Sequence, residues 1–483
     1  MPLAEALACH ARLRPQAQAV RLGPAALDYG ALAAAAAGLA GGVAALPRRS
    51  SLGVPLAALV LGNHPQAPVW LTAALAHGIA VAVLDPDWPP ALIAAVLGRL
   101  SPDVVVHAGA AVPADHPALD LRHQSLPPGP PPAASGDTPF LIGFTSGSTG
   151  LPKAYLRRRA AWRASLRLGQ PHFDLTPDSA TLAPGPLAHG LTLYALAETL
   201  HAGACFTGLP AFSATAMAEA LAGQRRLVVV PTMAQALVAH HAATGARFPE
   251  LAGITCAGAR LDPGLIDRLA GPAPAARVTE YYGASELGFV TTATHPPGRA
   301  DPTLGCGTPF PGVALRLREG RVWVNSPLTL DAYLWGDGTG LACDGPWRSV
   351  GDLGRLDGAG RLHLMGRADG MILSGGHNIY PEEVARVLAA APGVEGAEAL
   401  GRPDAYLGQR LEAVLTLAPG ARPAVIVAHA AQALPRAKLP RRLWAATALP
   451  RTASGKPARA ELARWLDIGD PRLTLIWPEV PHD

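Results

Sequence analysis

Short apolar runs and helical patterns alternate through the first three hundred residues, and this alternation restricts the fold more than any other feature of the sequence. Apolar runs at residues 53–61, 79–84 and 104–107 predict strands, whereas residues 67–77 and 89–100 have the spacing of helices. Strands joined by helices in this way are typical of βαβ units. An α/β fold is therefore expected.

From Gly305 onward the pattern changes to short strands separated by turns. Residues 313–317 and 321–325 predict one hairpin, and residues 353–356 and 361–365 predict another. A compact pattern of helices and strands then follows to the end of the chain. We expect a β-rich subdomain after the α/β layers, and a smaller α+β domain after that.

The length of the chain, 483 residues, exceeds what one hydrophobic core usually supports, so at least two domains are expected. The change of pattern places the boundary close to residue 368. We predict a large N-terminal domain at residues 1–367 and a small C-terminal domain at residues 368–483.

Composition excludes several classes of protein. The formal net charge is only +4, and no basic run other than residues 157–159 stands out, so no nucleic-acid partner is expected. The five cysteines lack CxxC spacing, which indicates free thiols in a reducing cytoplasm. We find neither a signal peptide nor an apolar stretch long enough to span a membrane. A soluble, cytoplasmic protein is expected.

The strongest local motif is FTSGSTGLPK at residues 144–153. Hydroxyl residues and two glycines let the backbone approach an anion while amides and hydroxyls point at its oxygens, and the lysine adds positive charge. The spacing differs from the GxxxxGK[ST] of P-loop NTPases, so that class is disfavoured. Taken alone, the run could also be an ordinary Ser/Gly turn.

This run resembles the phosphate loop of the adenylate-forming superfamily, which comprises acyl-coenzyme A synthetases, peptide-synthetase adenylation domains and firefly luciferase. Further motifs of that family occur in its usual order between residues 144 and 456. The resemblance implies that ATP phosphates are bound by Lys153 and by the loop residues Thr145, Ser146, Gly147, Ser148, Thr149 and Gly150.

A second motif, YYGASE, resembles the YGxTE element of the family. The resemblance implies that Tyr282 stacks on adenine, Ser285 contacts phosphate and Glu286 binds Mg²⁺. Tyr281 and Gly283 would lie beside the nucleotide. The chemistry is suitable, because a flat ring offers a stacking face and a hard carboxylate suits Mg²⁺ shared with phosphates.

Three further segments resemble family elements around the nucleoside. Gly258 and Ala259 would let the adenine edge approach closely, and Asp352 would accept hydrogen bonds from the ribose hydroxyls. Arg367 would reach the ribose or a phosphate. Asp369 would be the hinge about which a mobile C-terminal domain rotates.

The C-terminal part carries two more such elements. Gly375 and Gly376 resemble the mobile loop that helps to form the pantetheine tunnel, and Lys456 resembles the lysine that bridges the substrate carboxylate and the α-phosphate. Lysine is otherwise scarce, since Lys153, Lys438 and Lys456 are the only three among 40 basic residues. A compact ammonium near phosphate is one reason to retain lysine where arginine is the usual cation.

Two departures from the family pattern occur near these motifs. The family usually has Gly-Val and then a Thr-His pair after the loop lysine, whereas this chain has Ala154, Tyr155 and the basic run 157–159. Val350 stands where threonine is common. The contacts behind the phosphate loop are therefore expected to differ in detail from those of the family.

The segment PLAHGL at residues 186–191 bears on the acid substrate, because it resembles the PLFHxxG segment beside the acyl pocket of the family. His189 would lie near the substrate carboxylate. Relatives that activate amino acids usually carry an aspartate soon afterwards, but here no charge occurs before Glu198. A buried ammonium without a carboxylate is costly, so an aliphatic or aryl acid is expected.

These features predict an AMP-forming acyl-coenzyme A synthetase that uses ATP, a small carboxylic acid, Mg²⁺ and coenzyme A. Its expected catalytic residues are Lys456, Glu286, His189 and Lys153, with Glu286 as the metal ligand. The nearest alternative is an enzyme that loads the phosphopantetheine of an acyl carrier protein, and no motif separates the two. A non-catalytic adenylate-binding scaffold is a third possibility, which the intact motifs disfavour.

Overall fold

The computed structural model describes residues 3–110, 112–133, 135–145, 151–330, 333–335, 341–367, 370–374, 377–404, 407–435, 438–452 and 457–477. The chain forms two compact units. The first comprises Met1–Leu315 and Val324–Val350, and the second comprises Arg316–Trp323 and Gly351–Asp483. The domain boundary at residues 367 and 368 stays a prediction.

Twelve α-helices lie within the described residues, nine in the first unit and three in the second. Several begin with proline, which fits the first helical turn because its missing N–H would have no partner there. The helices are α1 Ala4–Leu13, α2 Tyr29–Ala44, α3 Ala67–Ala76, α4 Pro90–Leu100, α5 Arg159–His172, α6 Gly190–Ala202, α7 Ala214–Ala220, α8 Pro231–Thr244, α9 Pro263–Arg268, α10 Pro381–Ala389, α11 Pro423–Ala433 and α12 Arg459–Ile468.

Most strands of the described chain belong to the first unit, and β16 and β17 cross between the two units. The strands up to that crossing and just after it are β1 Gln18–Leu22, β2 Ala25–Asp28, β3 Leu56–Val60, β4 Ala80–Val83, β5 Val104–His107, β6 Ala118–Asp120, β7 Pro139–Thr145, β8 Lys153–Arg158, β9 Thr181–Leu182, β10 Phe206–Gly208, β11 Arg226–Val229, β12 Gly253–Cys256, β13 Arg277–Ala284, β14 Gly288–His295, β15 Thr308–Pro309, β16 Ala314–Arg318, β17 Arg321–Asn325, β18 Tyr333–Trp335, β19 Ala342–Asp344 and β20 Trp347–Ser349.

Two large sheets form the first unit, and both are parallel at their centres. One has the order β18-β8-β7-β4-β3-β5-β6, and the other has the order β15-β14-β13-β12-β11-β9-β10-β1-β2. The carboxyl ends of parallel strands meet at one edge of a sheet, where α/β proteins bind ligands. The segments after β4, β12 and β13 therefore reach such edges.

The core of the first unit joins both sheets through α2, α3 and α6. Its largest fully buried side chains include Trp70, Tyr29, Phe140 and Phe206. Full burial of a large apolar side chain contributes roughly 1.5–3 kcal/mol to stability, so this shared core ties the two sheets together. The predicted order of elements in residues 53–107 is confirmed as β3, α3, β4, α4 and β5.

The second unit contains a smaller α+β arrangement. Its strands are β21 Asp352–Leu356, β22 Leu362–Arg367, β23 Ile372–Ser374, β24 His377–Ile379, β25 Val394–Asp404, β26 Gly408–Leu417, β27 Arg442–Ala445 and β28 Thr474–Trp477. The hairpin predicted at residues 353–365 is β21 paired with β22. The remaining six form a sheet of order β24-β23-β26-β27-β28, with β25 on β26. The predicted α/β fold class is confirmed.

None of the helices in the described part of the chain combines the length and the apolar character that crossing a bilayer requires.

Candidate active site

Lys153 begins β8 at the base of the predicted phosphate loop. Strands β7 and β8 pair antiparallel, so Thr145 and Lys153 lie opposite each other where the loop leaves and rejoins the sheet. On its other side β8 pairs with β18, with Tyr333 opposite Tyr155. This sheet edge therefore brings a segment from much later in the chain next to the loop.

The Glu286 carboxylate lies at the same sheet edge, beside Tyr333. The Tyr333 hydroxyl donates a hydrogen bond to Glu286 Oε1, and Lys153 Nζ lies 5.8 Å from the centroid of the Tyr333 ring. The backbone of Glu286 is held as well, since Leu330 N donates to Glu286 O at 2.8 Å. The structure thus brings two predicted catalytic residues, Glu286 and Lys153, to one tyrosine that the sequence analysis did not identify.

Arg157 binds the backbone of two segments near Glu286. Its side chain is buried, and it donates through Nη1 to Leu328 O at 2.5 Å and through Nη2 to Ser285 O. Burial lowers the pKa of Arg157 and raises the pKa of the neighbouring Tyr155 phenol. In the sequence, this arginine stands out only as part of a departure from the family pattern. One feature of the sequence indicated its importance: Arg157 is a charged residue on the same strand face as Tyr155.

Tyr281, Tyr282 and Gly283 occupy the end of β13, where the register with β14 shifts between Tyr282 and Gly283. A Cβ atom at Gly283 would lie 2.4 Å from Gly288 O, so only glycine fits this close approach. Pairing continues past this irregularity to Ala284, where β13 ends. The turn that contains Glu286 follows directly.

Gly258 and Ala259 follow β12 and are exposed. Gly258 has φ +94°, a conformation that other residues rarely adopt, so the glycine sets the path of this loop. The loop is held by Glu280, whose buried carboxylate accepts a hydrogen bond from Leu261 N at 2.8 Å and contacts His295 Nε2 at 3.0 Å. Glu280 belongs to none of the motifs that the sequence contains.

His189 is the residue that precedes α6. Its Nε2 lies 3.8 Å from Asp85 Oδ2, at the carboxyl end of β4. The interaction with His189 lowers the pKa of the Asp85 carboxyl, although burial opposes it. The two side chains therefore contact each other beside the start of α6, and Asp85 was not found from the sequence.

Asn63 fixes the loop that carries His189. Its Nδ2 donates to Leu209 O at 2.7 Å and to Gly185 O at 3.0 Å, and its Oδ1 accepts from Leu187 N at 2.7 Å. One side chain thus satisfies three backbone groups of the two loops. In the sequence, Asn63 was visible only as an interruption of an apolar region.

In the second unit, Asp352 and Arg367 face each other in the register of β21 and β22. Arg367 Nη1 lies 4.0 Å from Asp352 Oδ1. The hairpin therefore places the two residues predicted to contact ribose side by side.

Other predicted residues lie outside the described part of the chain, and their roles stay predictions. They are Ser146, Gly147, Ser148, Thr149, Gly150, Asp369, Gly375, Gly376 and Lys456. The backbone of Thr145 is described as the last residue of β7, but its side chain is not.

Glu286 has the chemistry expected of a Mg²⁺ ligand. Protein sites commonly hold Mg²⁺ through one or two carboxylates together with substrate phosphates. Within the described residues, no group of three or more His, Cys, Asp or Glu side chains is placed to hold a metal ion. A single half-buried carboxylate, oriented by Tyr333, fits the shared mode of binding.

Comparisons with known proteins find relatives over most of the chain. The model of the AMP-binding enzyme family matches residues 7–323, and that of the AMP-binding enzyme C-terminal domain matches residues 383–456. An uncharacterized acyl-CoA ligase, YhfT, of Bacillus subtilis (strain 168) is 34% identical over 352 residues, which cover 70% of this chain and 71% of that protein.

Two further proteins are similar over nearly the whole length. A feruloyl-CoA synthase of Amycolatopsis sp is 30% identical over 487 residues, covering 94% of this chain and 97% of that protein. The solved structure of o-succinylbenzoate coenzyme A synthetase from Bacillus subtilis, in complex with ATP and a magnesium ion, has a TM-score of 0.82 at 22% identity. That alignment covers 95% of this chain and 99% of the other, so the fold is shared.

Proposed function

Because this chain belongs to the AMP-binding enzyme family of the adenylate-forming superfamily, we propose that it uses ATP to join a carboxylic acid to coenzyme A. The acid and ATP first give acyl-AMP and pyrophosphate, and the thiol then displaces AMP to form a thioester. The names of two relatives, an acyl-CoA ligase and a feruloyl-CoA synthase, support this class of reaction. The proposed substrate is an aliphatic or aryl acid, and the proposed location is the cytoplasm.

The observation that carries the proposal is the Glu286 carboxylate held by Tyr333 next to Lys153. In the first step two anions must meet, the substrate carboxylate and the α-phosphate, so charge repulsion and alignment make up much of the barrier. Lys153 supplies positive charge at the base of the phosphate loop. Glu286 would hold Mg²⁺, which neutralises phosphate charge when bound.

The acid itself is proposed to bind near His189. The N–H groups of the first turn and the helix dipole favour an anion at the start of α6, where His189 precedes the helix and contacts Asp85. Lys456 is proposed to bridge the carboxylate and the α-phosphate in the first step. Gly375 and Gly376 would replace it in the second step and admit the pantetheine arm.

An ATP–pyrophosphate exchange assay over aliphatic, aryl and amino acids tests the first step, and addition of coenzyme A to the best acid tests the second. Exchange followed by thioester formation is the expected result. Exchange without a thioester would favour a carrier protein as the acceptor. No exchange with any acid would favour the non-catalytic scaffold.

Two variants connect the assay to the site. Glu286→Gln is expected to lower exchange about 10²–10³-fold, because one preorganised charge is removed. Lys456→Ala should nearly abolish exchange while ATP still binds, which equilibrium dialysis measures. Glu250→Gln, at an exposed position, is the control and should exchange at the wild-type rate. Normal acyl-AMP formation by Lys456→Ala would contradict its assignment.

A further inference from the structure

Glu280 is a buried carboxylate that has no part in the proposed reaction. It lies in the middle of β13, and only 9% of its surface is exposed. A charged side chain is seldom buried unless its oxygens have hydrogen-bond donors, because leaving water is costly. The donors around this carboxylate therefore indicate its role.

Glu280 receives hydrogen bonds from two directions. Its Oε2 accepts from Leu261 N at 2.8 Å, and its Oε1 lies 3.0 Å from His295 Nε2. His295 Nδ1 accepts a hydrogen bond from Asp301 N at 3.0 Å, so the ring carries its proton on Nε2 and donates it to Glu280. A neutral imidazole and a backbone N–H thus satisfy the two oxygens of the carboxylate.

The hydrogen bond from Leu261 N anchors one end of a short loop, residues 258–260. All three residues of the loop are exposed, whereas Ala257 and Leu261 on either side are buried. At the other end, Ala257 N donates to Val229 O at 3.3 Å and continues the pairing of β11 with β12. The loop is therefore held by a backbone hydrogen bond at one end and by the Glu280 side chain at the other.

Glu280 also fixes this loop relative to Tyr282. Residues two apart on a strand point to the same face, so Glu280 and Tyr282 share one face of β13. Tyr282 is predicted to stack on adenine, and Gly258 and Ala259 are predicted to lie along the adenine edge. The hydrogen bond between Leu261 N and Glu280 Oε2 thus joins the strand and the loop between which the base would lie.

A second route ties His295 to the same loop. The loop leads into α9, where Asp267 Oδ1 accepts a hydrogen bond from Ala300 N at 2.7 Å. The next residue, Asp301, is the one whose N–H donates to the His295 ring. Both ends of the loop are therefore braced, and a change at His295 is expected to affect it.

We propose that Glu280 and His295 are positioning residues for ATP, which together hold the 258–260 loop at the distance from Tyr282 that the adenine ring needs. This inference rests on the proposed function. The pair acts at the base end of the nucleotide, so it contributes to ATP affinity and not to the chemical step. A small shift of the loop weakens its contact with the base, because packing forces act over short distances.

The ATP–pyrophosphate exchange assay tests the inference and contains its own reference, since pyrophosphate has no adenine. A carboxylate accepts from two donors, whereas the amide of Glu280→Gln must turn its NH2 group towards Leu261 N or His295 Nε2. Two facing donors repel, so the loop should move. We expect KM for ATP to rise about tenfold, while kcat and KM for pyrophosphate stay within about twofold of wild type.

Two substitutions at His295 separate positioning from folding. His295→Gln keeps a donor at the place of Nε2, and its KM for ATP should stay within about threefold of wild type. His295→Leu removes that donor and should raise KM for ATP as much as Glu280→Gln does. A role in folding alone would lower kcat, as the active fraction falls, and would leave KM for ATP unchanged.

Thr279→Val is the matched control. It removes the hydrogen bond between Thr279 Oγ1 and Thr294 Oγ1, which lie 3.0 Å apart and join the same two strands on their other face. Its KM values should equal those of wild type. An unchanged KM for ATP in folded Glu280→Gln or His295→Leu, or an equal rise in KM for ATP and for pyrophosphate, would overturn the inference. Exchange with no acid by the wild-type protein would instead overturn the proposed function.

Discussion

Tyr333 fixes the carboxylate that is proposed to hold Mg²⁺. Its hydroxyl donates to Glu286 Oε1, so Tyr333→Phe leaves the carboxylate free to rotate. Groups that orient a metal ligand commonly contribute about 10–100-fold to metal affinity or activity. We expect the Mg²⁺ concentration for half-maximal exchange to rise about tenfold, as measured by titration of Mg²⁺ in the exchange assay.

Trp335→Phe is the control for this prediction. Trp335 belongs to β18, as Tyr333 does, and its Nε1 donates a hydrogen bond to Pro152 O. The substitution removes that hydrogen bond and leaves the one between Tyr333 and Glu286 in place. Its Mg²⁺ dependence should match that of the wild-type protein. An unchanged Mg²⁺ dependence in Tyr333→Phe would refute the positioning role.

Arg157 is expected to matter for stability as well as for the site. Arg157→Met leaves the carbonyl groups of Leu328 and Ser285 without this donor, so the free energy of unfolding should fall by about 3 kcal/mol. Urea unfolding measures the change. The adjacent Arg158 is exposed, and Arg158→Met should stay within about 0.5 kcal/mol of wild type. Equal stability of Arg157→Met and wild type would contradict the prediction.

Local motifs and long-range partners differ in how far the sequence reveals them. Glu286 and Lys153 could be singled out because each belongs to a short run that resembles a motif of the family. Tyr333 and Asn63 could not, because they reach the site only through sheet pairing and loop packing. Arg157 was visible as an unusual charge, but the groups it bonds lie far away in the sequence.

Among the elements, the β21–β22 hairpin depends on the turn at its tip. Asp357 Oδ1 accepts hydrogen bonds from Ala359 N and Arg361 N, both at 2.9 Å, and Oδ2 lies 3.2 Å from His363 Nε2. These bonds, led by that from Arg361, lower the pKa of Asp357 from 3.8 to about 2. The turn in this way fixes the register in which the hairpin pairs its two predicted ribose contacts.

Acid should therefore weaken this hairpin. A carboxyl whose pKa is lowered by folding adds stability above its ordinary pKa, and that stability is lost as the pH falls towards about 2. Asp357→Asn cannot ionise, so wild type should be the more stable protein at about pH 5, and the difference should narrow by about pH 3. Urea midpoints of both proteins measure this. A difference that is constant over the range would show that the ionised form is not what stabilises the turn.

The elements could be predicted from the sequence better than their arrangement in the sheets. Periodic apolar runs indicated β3, α3, β4, α4 and β5, because each is long enough to show its own pattern. Sheet order was not predictable. The two-residue strand β9 lies between β10 and β11, and a strand this short shows no pattern of its own in the sequence.

For the whole molecule, we predict that the C-terminal domain adopts two positions about Asp369, one for each step of the proposed reaction. Asp369→Pro restricts φ at the pivot, so we expect thioester formation to fall at least tenfold more than adenylation. Exchange and thioester assays on one preparation measure the two steps. Asp369→Ala, which leaves φ free, is the control. Equal loss of both steps in Asp369→Pro would argue against a rotating domain.

The edge position of β18 also bears on how the protein matures on the ribosome. Strand β8 emerges early, but the tyrosine that orients Glu286 is synthesised much later, after both large sheets have most of their strands. Closing so long a loop costs entropy, which the final short strand must offset. A nascent chain that ends before Tyr333 therefore has the sheet but lacks the donor for Glu286. The proposed metal site is therefore complete only when most of the first unit has been synthesised.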